Sequence, residues 1–210
     1  LSLVAEPGSN SVSLSVRHPA DAAEPFFLLE LGDNNINGFE LHFIALSDPD
    51  GPRFGVDHDD AGLATHFGTV RRNLAEEERA MQAGLAPIQV RRHLGAAQLV
   101  FDQIELFMAF AAHQAYSLEP LTYAAAWVFE RRGFAYVRGH KLMNDIQREF
   151  QPGGRLHAAL DGSTPFRQPE QWRTVRGRAW AIHDGILETI GQQWDHLRMI
   201  KQLGKHAGVE

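Results

Sequence analysis

Arg92-His93-Leu94-Gly95-Ala96-Ala97 is the stretch on which the reading of the fold turns. It opens a run, about residues 94–115, in which Leu94, Ala97, Phe101, Ile104, Met108 and Ala111 recur at three- and four-residue spacing. That is the period of one buried helix face. Asp102, Gln103 and Glu105 fall off the stripe. Further on, residues 117–121 read as a short buried strand and 123–131 as a helix, with Gly133 suited to its C′ position. Residues 134–137 read as a strand. The order is therefore helix, strand, helix, strand.

Toward the N-terminus the period changes to two. Phe39, Leu41, Phe43 and Ala45 in FELHFIAL (39–46) share one face of a strand, because strand side chains alternate. Residues 26–31 form a nearly continuous apolar run ending in Gly32-Asp33-Asn34-Asn35, which is turn chemistry, so an antiparallel hairpin is expected. SVSLSV (11–16) is a further strand, and residues 54–56 are read as the start of another. Residues 1–24 are otherwise a looser start. Between sheet and motif, Asn73 is a suitable N-cap for a helix over 74–82, with Glu76, Glu77 and Glu78 where the helix dipole favours acids and Gly84 at its end.

Beyond residue 144 strand signals fade. Short helical patterns alternate with breakers, Gln151-Pro152-Gly153-Gly154 and Asp161-Gly162-Ser163. Pro169 suits a helix start. Gly177, Gly185 and Gly191 should divide the segment beyond Pro169 into pieces.

Composition narrows the function classes. Hydrophobic residues are 44% and charged residues 22% of 210, a globular balance with enough Phe and Trp for a packed core. With no cysteine, disulfides, zinc ribbons and thiol nucleophiles are excluded. No apolar run reaches the length of a membrane span, and no secretory signal is read at the start. A cytoplasmic protein is the expectation. Residues 1–137 carry 9 Lys+Arg against 18 Asp+Glu, and residues 138–210 carry 11 against 8, so the net −6 divides into −9 and +3. A third this mildly basic is no nucleic-acid footprint.

The R-x-x-G-x-A pattern at a helix start, followed by a strand, a helix and Phe129-Glu130-Arg131-Arg132-Gly133-Phe134, resembles the GNAT N-acyltransferase family over about residues 87–143. The resemblance implies an α/β (α+β) fold, a mixed, largely antiparallel sheet flanked by helices. It divides the chain into a GNAT-like acyl-CoA-binding domain, 1–143, and a helical C-terminal extension, 144–210. It implies acetyl-CoA or another acyl-CoA as co-substrate, its pyrophosphate on a loop of Arg91, Arg92, His93, Leu94, Gly95, Ala96 and Ala97. A helix N-terminus presents free N–H groups and partial positive charge to a phosphate, and glycine permits close approach. Two features depart from the family. Its loop follows a strand directly, whereas residues 80–90 read as a helix end and a turn. The family's tyrosine acid is replaced by Phe129, which has no proton to give.

Acyl transfer needs a base for the amine and often an acid for the thiolate. Glu119 is the candidate carboxylate, acting through water, and Tyr123 the candidate phenol. His140, His157 and His183, with Asp161 and Asp184, are the ingredients of a metal site, but none stands at ligand spacing and no metal ligand is assigned. Asp57-x-Asp59-x-Ala61-Gly62 has the start of a calcium loop without its later ligands, since Gly68 stands where the bidentate Glu belongs, and is read as an acidic hairpin loop. Arg and Trp interleave in 162–167, Trp172-Arg173 and 176–180, either lining a pocket for an anionic or aromatic ligand or clamping the extension to the sheet. Three readings stay open. One is an N-acyltransferase acting on an amine, another a catalytically degenerate member that binds a ligand or partner, the third a metal-dependent protein. A small-molecule substrate is the expected partner, a homodimer is allowed, and neither nucleic acid nor membrane is expected.

Overall fold

The computed structural model describes residues 1–34, 38–65 and 71–207. Its centre is one open seven-stranded sheet, in the order β1-β2-β3-β4-β5-β7-β6. The strands are β1 (Ser2–Val4), β2 (Ser11–Val16), β3 (Phe27–Asp33), β4 (Phe39–Leu46), β5 (Ala115–Leu118), β6 (Ala135–Arg138) and β7 (Arg198–Gln202). Every pairing is antiparallel except β4 with β5, where Phe39, Leu41 and the residue between them lie beside Tyr116, Leu118 and Ser117. Six α-helices occur among the described residues: α1 (Leu74–Gln82), α2 (Ala97–Phe110), α3 (Tyr123–Arg131), α4 (His140–Glu149), α5 (Arg155–Ala158) and α6 (Val175–His183). None of the helices among the described residues is long and apolar enough to cross a membrane.

Local chemistry explains most boundaries. The Asn73 side chain accepts from the Glu76 amide at 3.3 Å, and the Thr122 hydroxyl accepts from the Ala125 amide at 3.1 Å, starting α1 and α3. Gly84 and Gly133 follow those helices at φ +83° and +85°, which glycine adopts without a Cβ clash. In α2 the predicted stripe narrows to Phe101, Ile104 and Met108, all buried, and the helix spans 97–110 rather than 94–115. Leu94 lies in the loop and is exposed, and Ala111 is the C-cap, so the stripe's two ends fall outside the helix.

The largest correction concerns the C-terminal part. It is not helical throughout: it returns β7 to the interior of the sheet, between β5 and β6. Arg-Met-Ile-Lys-Gln hides a strand because the buried face carries Met199 and Lys201, and a lysine reads as surface. Lys201 is 6% exposed, and its ammonium donates to the Arg132 and Lys205 carbonyls at 3.0 and 2.9 Å. Residues 54–56, expected as a strand, make none. Phe54 and Val56 instead enter a second small core with Ala80, Leu85, Phe166 and Trp180. Pro169 does begin a helix, but a five-residue 3-10 one, Pro169–Arg173. Gly185 and Gly191 interrupt as expected, whereas Gly177 lies inside α6, where a Cβ would meet the Gln171 carbonyl at 2.4 Å.

The second core joins the excursion between β4 and α2 to the C-terminal part. Trp180, fully buried, stacks on Phe166 and donates Nε1–H to the Leu85 carbonyl at 2.8 Å. Beside it Arg72 binds both Glu77 and Asp184, and Arg167 Nε donates to Asp184 at 2.8 Å. The Arg/Trp-rich segment thus acts first as a clamp.

Candidate functional site

The loop before α2 is placed by the end of β4. The Leu94 amide donates to the Leu46 carbonyl at 3.3 Å, the Asp48 amide to the Arg92 carbonyl at 2.8 Å, and Ser47 forms an antiparallel bridge with His93. A strand therefore does precede the loop in space. Residues 48–92 are an excursion that leaves β4 and comes back to it, which is why 80–90 read as a helix end and a turn. β5 pairs with β4 only as far as Leu41. Beyond that point no strand covers this edge of β4 among the described residues.

Gly95 sits at φ +81°, and a Cβ there would meet nothing within 4 Å. The turn needs glycine, and the space above it is open. Ala96 is the N-cap and offers no capping side chain. Among the described residues the amides of Ala97, Gln98 and Leu99 have no protein acceptor, and a helix start of this kind carries partial positive charge.

The side chains of the loop divide. Arg91 turns away: it donates to the Gly51 carbonyl and lies 3.7 Å from Glu24. Arg92 is exposed, with Nη2 donating to the Ala83 carbonyl at 2.8 Å. His93 contacts Gln89 and the backbone of Leu46. Crowding by protein lowers its pKa, the Leu46 contact opposes this, and the Arg176 charge lowers it further.

Glu119 leaves the carboxyl end of β5, half-exposed, with Arg138 at 3.9 Å. Because β4 and β5 are parallel, Glu119 and the loop lie off the carboxyl ends of adjacent strands, the usual place for a ligand in sheets with parallel strands. No hydrogen bond or ion pair joins Glu119 to residues 91–97 among the described residues. Tyr123 is 2% exposed, against Trp194, with its hydroxyl 3.5 Å from Arg178, and burial raises its pKa. It lies in the core as an aromatic packing residue. Phe129 packs on Phe101 and Phe134 at 5.9 and 5.3 Å between ring centres.

A cleft of about 500 Å³ opens beside α2 and α3, lined by Gln98, Phe101, Glu105, Trp127, Arg132 and Lys201 among others. Among the described residues the Tyr116 hydroxyl and Arg132 Nε are buried without a hydrogen-bond partner. Sequence reasoning missed Lys201 as a lining residue of this cleft, since a lysine reads as surface.

The histidines considered for a metal are separately engaged. His140 stacks on Tyr136, His157 packs on Trp172, and His183 lies 3.4 Å from Glu77. Among the described residues no group of three or more His, Asp or Glu side chains is placed to hold a metal ion. The acidic loop is a hairpin held by its own residues: Asp59 accepts from the Ala61 and Leu63 amides, and His58 bridges Ala64. Gly68 lies outside the described residues. Comparison with protein-family models, with curated proteins and with solved structures finds no match for this chain.

Proposed function

We propose that the chain binds an acyl-CoA at the start of α2 and transfers the acyl group to an amine, as the GNAT resemblance implies. The observation that carries this reading is the Leu94–Leu46 hydrogen bond. It sets an uncapped helix start, with an open glycine, directly at the carboxyl end of the strand that parts from its parallel neighbour. The pyrophosphate accepts from the amides of Ala97, Gln98 and Leu99. The thioester lies along β4 beyond Leu41. The amine nitrogen attacks the thioester carbonyl, the C–N bond forms, the C–S bond breaks and CoA thiolate leaves. Glu119 takes the amine proton through water. The thiolate takes its proton from solvent, because Phe129 has none and Tyr123 is buried.

The same two residues favour a second reading, a protein of this fold that binds the coenzyme without chemistry. Thermal shift with acetyl-CoA tests binding, and release of free thiol with a panel of small amines tests transfer. At a hundred times Kd a bound ligand adds about 2.7 kcal/mol, or about 5–10 °C at this chain length. A shift without thiol release supports the second reading. Absence of any shift with any acyl-CoA removes both.

A further inference from the structure

The cleft beside α2 and α3 has a polar floor that acyl transfer leaves unused. Lys201 of β7 lines it, buried, with its ammonium donating to the Arg132 carbonyl at 3.0 Å and lying 3.8 Å from Glu105. Tyr116 of β5 stands directly opposite Lys201, so both side chains leave the same face of the sheet. The Tyr116 ring meets that of Phe134, a lining residue, edge-on at 5.4 Å between centres. Arg132 is fixed on two sides. Its guanidinium lies 4.9 Å over the Phe101 ring, and Nη1 donates to Gln98 Oε1 at 2.8 Å. Gln98 donates in turn to Asp102 at 2.8 Å, which sets the orientation of its amide. Among the described residues neither Nε nor Nη2 of Arg132 has an acceptor, and Arg132 enters no ion pair. The Tyr116 hydroxyl, fully buried, also has no partner among them. Burial and the Glu105 charge raise its pKa against an opposing effect of Arg132, so the phenol keeps its proton and can donate.

Buried polar groups are normally paired, and unpaired donors at one cleft call for an acceptor. Nε and Nη2 form the edge on which a guanidinium takes a carboxylate through two parallel hydrogen bonds. We propose that this cleft binds a small organic carboxylate, held by the Nε–Nη2 edge of Arg132 and by the Tyr116 hydroxyl. Its volume, about 500 Å³, suits a small molecule, and Trp127 and Val128 give the carbon body an apolar wall. An amine has less to meet, because Glu105 faces Lys201 and Asp102 accepts from Gln98. The site does not depend on the acyl-CoA reading.

Calorimetric titration of the whole chain with benzoate, indole-3-acetate and benzylamine tests this, as wild type, Arg132→Lys, Tyr116→Phe and Gly95→Trp. Wild type should bind at least one of the carboxylates at millimolar concentration, and benzylamine more weakly. Arg132→Lys keeps the charge but loses the planar edge, and should weaken carboxylate binding about tenfold or more, the size of a lost charge-assisted hydrogen bond. Tyr116→Phe removes one unpaired buried oxygen, so binding should weaken while the apo melting temperature holds or rises. A merely structural role would lower both together. Gly95→Trp should leave carboxylate binding unchanged. No binding of either carboxylate to wild type overturns the proposal. So does equal affinity for benzylamine, undiminished binding by Arg132→Lys, or loss of carboxylate binding in Gly95→Trp. Carboxylate binding by a protein that shows no thermal shift with any acyl-CoA supports the site and removes the acyl-CoA reading; the reverse result removes the site alone.

Discussion

The Leu94 amide and the Leu46 carbonyl are 3.3 Å apart, although 47 positions (94 minus 46, less one) separate them in the chain. This bond closes the excursion that carries α1 and sets the start of α2 at the end of β4. It needs the excursion to be held in place, which the second core does by packing it on Phe166 and Trp180 of the C-terminal part.

Gly95 answers for the turn. Gly95→Ala forces a side chain into the left-handed region and should cost about 1–2 kcal/mol. Nothing else within 4 Å would clash, so strain alone is expected. Thermal melting should report a fall of about 2–4 °C for each kcal/mol.

Trp180 ties the excursion to α6. Trp180→Ala should cost about 3–5 kcal/mol in urea unfolding, from the cavity it leaves. Trp180→Phe keeps the stacking on Phe166 but leaves the Leu85 carbonyl without its donor, a loss of about 1–3 kcal/mol. Proteolysis of the Trp180→Ala protein should begin within residues 47–91.

Glu77 is buried in α1, and burial acts to raise its pKa. Hydrogen bonds from His183 and Arg72 outweigh that, and the net shift is downward from 4.5. A carboxyl whose folded pKa lies below its unfolded one stabilises the protein fully above pH 4.5, and that contribution is lost as pH falls through the folded value. Stability should therefore drop below about pH 4.5. Glu77→Gln should flatten this part of the profile and cost about 3–5 kcal/mol at pH 7, because Arg72 is left partly uncompensated. Denaturant titrations at several pH values measure both.

Glu119 and Tyr123 separate by environment. Once an acceptor amine is in hand, Glu119→Gln should lower kcat by about 10²-fold or more, the usual size of a general-base contribution. Tyr123→Phe should leave kcat within about twofold, since among the described residues its hydroxyl meets only Arg178, at 3.5 Å inside the core. Equal losses in the two variants would contradict the assignment of the base to Glu119 and of Tyr123 to the core.

Much of the architecture was legible because it is written in local chemistry. Strand alternation marked β2 and β4, a side-chain cap marked α1, and glycines marked the ends of α1 and α3; these need only neighbours along the chain. The glycine turn before α2 was legible for the same reason, although the helix begins at Ala97 rather than at Leu94. Three matters were decided by the tertiary structure. Strand β7 is concealed by Lys201, whose burial is tolerable only because distant carbonyls at Arg132 and Lys205 receive its ammonium. Residues 54–56 are apolar enough for a strand, yet a packed Trp180 and Phe166 draw them into a second core. The fate of each arginine was likewise not readable: Arg91 and Arg92 are neighbours in sequence, but one meets Glu24 and the other the Ala83 carbonyl. Sequence by itself determined where the chain turns and which faces are apolar, since both follow from each residue's own conformational and solvation preferences. The tertiary structure decided which charges are compensated, because that depends on partners brought from elsewhere in the chain.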